Sequence, residues 1–125
     1  MIQFKKGEDG IVNIEYFNLG LAKSVGVIEA TFLQILYRVI QDNQEMCVVE
    51  HNACWFPCAI REWKNYIDLW NPRQIDRIVK NCLQNQTLML KHYDTDERRC
   101  RNWYAINPTI VPQLDETEHI FQSKW

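Results

Sequence analysis

Arg73, Arg77, Lys80 and Gln84 stand at i, i+4, i+7 and i+11, with Gln74 and Asn81 flanking them. On a helix that spacing carries these side chains to the side opposite Ile75. Their chemistry is that of nucleic-acid contact. An arginine fork fits a guanine edge or a phosphate, a carboxamide fits adenine, and a lysine ammonium pairs with phosphate. The same residue types also make ordinary solvated surface, so the neighbouring elements must decide between the two. A second basic group, Arg98, Arg99 and Arg101, is interleaved with Asp94, Asp96 and Glu97. Those arginines could follow a DNA backbone or enter a minor groove. The acids beside them could equally pair with them and cancel the field.

Other chemistry finds less support. His51, Cys54 and Cys58, with Cys47 upstream and His92 or Cys100 downstream, invite a zinc reading. A structural zinc site normally joins two close-spaced ligand doublets, and the second doublet is missing. We therefore expect no metal and no cofactor, and free thiols at the cysteines, with Cys82 packed into the interior. Phosphate loops, dinucleotide fingerprints and nucleophile elbows do not occur, so no catalytic residue is assigned and an enzyme is not expected. Trp55, Trp63 and Trp70 follow one another at 8 and 7 residues. That spacing suits packing between helices better than an exposed stacking platform. In the pair Trp103-Tyr104 one ring should face in and the other out.

Several elements can position the first constellation. Residues 1–17 read as an N-terminal arm or short strand. Asn18 can cap a short helix with Leu19, Leu21, Ala22 and Val25 on its apolar face, stopped by Gly26. A second helix should run from Val27 to about Gln41, apolar almost all round, with Gln34, Arg38 and Gln41 as its polar stripe; such a helix is central or lies in an interface. Cys47–Glu50 and Trp55–Pro57 have β character. A helix is expected at Ala59–Asp68, with Ile60, Trp63, Tyr66 and Ile67 on one side. Asn71-Pro72 then opens the helix that bears the basic face, cap followed by Pro at the first position. Ile75, Ile78, Val79, Cys82 and Leu83 supply its apolar side, and it should end near Asn85. Thr87–Tyr93 and Arg101–Asn107 read as two strands of a hairpin with a charged tip. Residues 108–125 read as a tail or short helix.

That order, helices followed by a hairpin, predicts a mainly α chain with a small β-hairpin, an α+β winged helix-turn-helix over residues 18–107. At 125 residues the chain suits one domain. Residues 1–60 carry 4 basic and 7 acidic side chains, residues 61–101 carry 9 and 6, and the remainder carries 1 and 3. The middle alone is basic, which suits a local anion-binding face and not a general polyanion binder. Met1–Gly10 is charged and lacks an apolar run, and Val25–Ile40 is broken by Glu29, Gln34 and Arg38. No export signal and no membrane span is expected, hence a cytoplasmic location.

Four segments carry a family likeness. They are Leu21-Ala22-Lys23-Ser24-Val25-Gly26-Val27-Ile28-Glu29-Ala30 with Ile35-Leu36-Tyr37 after it, the series Trp55, Trp63 and Trp70, Arg73-Gln74-Ile75-Asp76-Arg77-Ile78, and Asn102-Trp103-Tyr104-Ala105-Ile106-Asn107. Through them, residues 19–107 resemble the N-terminal winged-helix domain of phage replisome organisers and DnaD-like primosomal proteins of Gram-positive bacteria and their prophages. The likeness departs at Gln86, where the family has Gly, and at Asp76, where it has a basic residue. It implies a non-catalytic protein of a bacterial host cell that binds double-stranded DNA in replication initiation. The DNA-binding role falls on Arg73, Gln74, Arg77, Lys80, with Arg98, Arg99 and Arg101 in the wing. Implied partners are duplex DNA and replication proteins such as a helicase loader, with a homodimer open. A winged-helix transcriptional regulator remains an alternative. So does a protein-binding module, such as a phage antagonist of a host protein.

Overall fold

The computed structural model describes residues 3–6, 12–15, 17–92 and 102–115, the first two stretches by backbone only. Strands β1 (Gln3–Lys6) and β2 (Val12–Glu15) pair antiparallel, with Phe4 opposite Ile14. The expected arm is thus a two-stranded hairpin. Helix α1 (Leu19–Val25) starts where Asn18 accepts the Leu21 N–H at 2.9 Å and stops at Gly26, whose φ of 105° lies in the range that glycine tolerates. Leu19, expected on its apolar face, is instead 64% exposed.

Helix α2 (Val27–Asp42) is the centre of the molecule, with every residue from Ala30 to Leu36 buried. The polar stripe expected on it is covered at Gln34, half-buried at Arg38 and exposed at Gln41. Gln34 is buried and donates from Nε2 to the Leu114 carbonyl at 3.1 Å. The cover is residues 108–115, which turn through the 3-10 helix Pro108–Ile110 and lie back across α2 with Leu114 fully buried. Tyr37 donates to Asp115, and Asn18 Nδ2 donates to the Gln113 carbonyl at 2.9 Å. Residues 116–125 lie outside the described part.

Strands β3 (Val48–Glu50), β4 (Ala53–Cys58), β5 (Leu88–Lys91) and β6 (Asn102–Ile106) form one antiparallel sheet in the order β3-β4-β6-β5. The expected small hairpin is therefore half of a four-stranded sheet, and the chain is a mixed helix-and-strand fold. The strand-forming stretches at 47–57 are a hairpin of their own, closed by His51 and Asn52 at φ 53° and 62°. Two left-handed residues in a row are the signature of a tight two-residue turn that matches strand twist. The sheet's inner face gives Phe56, Tyr104, Ile106 and Leu88 to the core under α2. Its outer face holds a second cluster, Ala53, Trp55 and Ala105, with Trp103 and Met89 packed on it. Trp103 and Tyr104 accordingly point to opposite faces.

The segment expected as a helix over Ala59–Asp68 is shorter and tighter, a 3-10 helix at Ile60–Asn65. Its start is held by the Glu62 carboxylate, which accepts the Ala59 N–H at 2.9 Å. Ile60 is 53% exposed, not part of the apolar side. Trp63 is 1% exposed, its ring 5.7 Å from Phe32 and 5.3 Å from Tyr104, so it joins α2 to the sheet. Trp70 is only half-buried, 6.4 Å from Phe32. Among the described residues no helix is long and apolar enough to cross a membrane.

Candidate nucleic-acid interface

Helix α3 (Pro72–Gln84) begins and ends where expected, and both ends have a local cause. At its start the Asn71 Oδ1 accepts the Gln74 N–H at 2.8 Å while Gln74 Oε1 accepts the Asn71 N–H at 3.0 Å. This reciprocal box satisfies backbone donors that would otherwise be orphaned. Gln74 is therefore first a capping residue, its Nε2 and one remaining lone pair of Oε1 left for a ligand. At the other end Gln86 takes φ 66°, the Thr87 N–H reaches the Cys82 carbonyl at 3.1 Å and the Gln86 N–H that of Leu83 at 3.3 Å. That is a Schellman closure with Gln in the place that Gly normally fills. It answers how the chain turns into β5 without a glycine.

Ile75, Ile78, Val79 and Cys82 of α3 are buried against the core. Burial pushes the Cys82 thiol up to about 12, with a smaller raising effect from the Glu29 carboxylate and an opposing hydrogen bond from Thr87. With that side fixed, Arg73, Gln74, Arg77, Lys80, Asn81 and Gln84 are all exposed, so the constellation expected from spacing does share one face. Arg73 and Arg77 have no acidic partner among the described residues. Lys80 is different: its ammonium lies 2.9 Å from Asp76, one turn back. Asn81 donates from Nδ2 to Glu29 of α2 at 3.3 Å. Two carboxylates thus border the face and lower its positive field.

Two further cations belong to the same region. A cavity of about 440 Å³ lies between the 3-10 helix and the start of α3, lined by Ala59, Ile60, Arg61, Lys64, Pro72 and Asn102. Arg61 and Lys64 are exposed and have no acidic partner among the described residues. Sequence reading missed them because on the expected longer helix they were simply its outer side; the excess of basic residues over 61–101 was the available signal. On β5, Lys91 is committed elsewhere, 3.0 Å from Glu50 and 5.5 Å over the Trp55 ring. The three expected wing arginines, Arg98, Arg99 and Arg101, lie outside the described residues.

No family model, no curated protein and no solved structure matches the chain. The case for a function rests on the arrangement itself. Among the described residues no group of three or more His, Cys, Asp or Glu side chains converges as a metal site. His51 points to Glu50, 3.4 Å away, and Cys58 and Cys82 are buried apart from it.

Proposed function

We propose that this protein binds double-stranded DNA without catalysis, as a winged helix-turn-helix of phage or prophage type whose α3 enters the major groove. The observation that carries the reading is the exposed face of α3, where Arg73 and Arg77, without an acidic partner among the described residues, stand beside Lys80 and Gln84 on one helix. Two features support it. The order β4-β6-β5 with α3 leading into β5 is the arrangement a winged helix requires, the β5–β6 hairpin serving as the wing. Arg61 and Lys64 extend the positive surface to the segment before α3, where such folds meet the DNA backbone. Acting in replication initiation, beside a helicase loader, is the role that the likeness to replisome organisers supports. A regulator of transcription would use the same surface.

The deciding experiment is a titration against duplex DNA at two salt concentrations, with wild type and a variant in which Arg73, Arg77 and Lys80 are reversed to Glu. The wild type should bind with affinity falling steeply in salt, and each phosphate contact removed should lower the slope of log K on log salt by about 0.9. The variant should melt close to the wild type, because all three side chains are exposed and the one ion pair lost, Lys80–Asp76, is a solvated helix pair worth about a few tenths of a kcal/mol. Equal binding by both proteins overturns the assignment to α3. A second reading, a protein-binding module, draws on the neutralisation of Lys80 and Lys91 by Asp76 and Glu50, on the Glu29 carboxylate held beside the face by Asn81, and on the acidic pI of about 5.9. It predicts no duplex binding by the wild type at any salt concentration.

A further inference from the structure

The geometry points to Cys47 and Cys54 as a reversible dithiol–disulfide pair, oxidised by exchange with a small disulfide of the glutathione class. Cys47 lies between the 3-10 helix Gln44–Met46 and β3, and Cys54 lies in β4 opposite Val49. Cys47 Sγ donates to the Asn43 carbonyl at 3.5 Å, and Cys54 Sγ donates to Gln44 Oε1 at 4.0 Å. Acceptors on two consecutive residues draw both sulfurs to the corner where α2 turns into the sheet, near enough for each thiol to act on the other. Both cysteines are half-buried, whereas Cys58 and Cys82 are fully enclosed. Cys54 also lines a cavity of about 240 Å³, with Tyr37, Ile40, Gln44, Asn52 and Ile106 among its walls, which gives a small disulfide a way in.

The exchange balances in two steps. The Cys54 thiolate attacks one sulfur of the small disulfide, the Cys54–S bond forms, the incoming S–S bond breaks, and one small thiolate leaves. Cys47 then loses its proton, its sulfur attacks Cys54 Sγ, and the second small thiolate leaves. Two protein thiols are oxidised and one small disulfide is reduced to two thiols. The order of attack has a cause. Burial first, then the hydrogen bond and charge of Cys54, then Glu45, push the Cys47 thiol up to about 12, so it is the poorer first nucleophile. Diagonal neighbours across a hairpin sit roughly 7–8 Å apart at Cα, and a disulfide needs less than about 7 Å. Cys47 lies just outside the β3–β4 ladder, its N–H held only by the Gln44 carbonyl at 3.0 Å, so closing the bond takes a small shift of that corner.

The test uses the full chain carrying Cys100→Ser, incubated over a range of reduced-to-oxidised glutathione ratios, quenched with acid, and mapped by mass. The expected product has lost two hydrogens and yields a peptide joining Cys47 to Cys54, reverting as the ratio becomes reducing. Adding Cys47→Ser should halt the reaction at a glutathione adduct on Cys54, and adding Cys54→Ser should give neither product. Protection of Cys58 and Cys82 from alkylation reports that each variant is folded, and an unfolded variant leaves the decision to the chain with both cysteines intact. Free thiols at 47 and 54 at the most oxidising ratio overturn the proposal, as does a lasting Cys54 adduct with Cys47 present.

Discussion

Gln86 holds a left-handed backbone that a glycine would hold without a steric cost. Gln86→Gly keeps the backbone carbonyl that accepts from Asn107 Nδ2 at 2.9 Å. It should stabilise the protein by about 0.5–1 kcal/mol, after the larger entropy of the unfolded glycine is offset. A urea midpoint that falls would refute this account of the turn. Trp63 is the opposite case. Its ring touches Phe32 on one side and Tyr104 on the other, so Trp63→Ala leaves a cavity between α2 and the sheet. The expected loss is about 3–5 kcal/mol, or failure to fold. Trp70→Ala, at a half-buried position, should cost clearly less. The same denaturation series compares the two. Spacing alone placed both tryptophans in packing, but it could not grade them, since burial depends on which helix covers each ring.

Asp76 controls how much charge α3 presents, and its effect belongs to the helix as a whole. Asp76→Asn removes a negative charge from the face and frees Lys80. On the proposed function, duplex affinity should rise, and the slope of log K on log salt should steepen by about 0.9 if Lys80 then reaches a phosphate. An unchanged titration would mean that Lys80 does not face DNA. The boundaries of α3 were legible because Asn71-Pro72 and the spacing of Ile75, Ile78, Val79 and Cys82 act within one turn or two. The β3–β4 hairpin was not, because its turn is made by His51 and Asn52 in place of the usual Gly-containing pair. The helix expected before α3 rests on the pattern Ile60, Trp63, Tyr66 and Ile67, yet Ile60 faces outward and the 3-10 geometry shortens the element. The partner of Asn81 could not have been read at all, since Glu29 lies on another helix.

For the whole molecule, buried thiols set an alkaline limit on stability. Cys82 titrates near its ordinary 9.0 when unfolded and is pushed up to about 12 when folded. Above pH 9 the folded state therefore keeps a proton that the unfolded state has lost, and stability falls as pH rises from 9 towards 12. A shift of that size corresponds to a loss on the order of 4 kcal/mol. Cys82→Ala should cost stability at neutral pH through its small cavity, and should lose less than the wild type between pH 9 and 11. Parallel pH profiles for the two proteins would show that Cys82 is not what limits the fold there.

The hydrogen bond from Asn18 to the Gln113 carbonyl, 95 residues apart in sequence, means that the folded body between them is very nearly a ring. Chain arriving at α1 and chain departing after Leu114 use the same doorway, on the α1–α2 side. A body built that way can be spliced into another polypeptide as a cassette without stretching its host. It can also be cut elsewhere and rejoined: a circular permutant that links the two ends by a few flexible residues and opens between His51 and Asn52 would keep the β4-β6-β5 core and all of α3 intact.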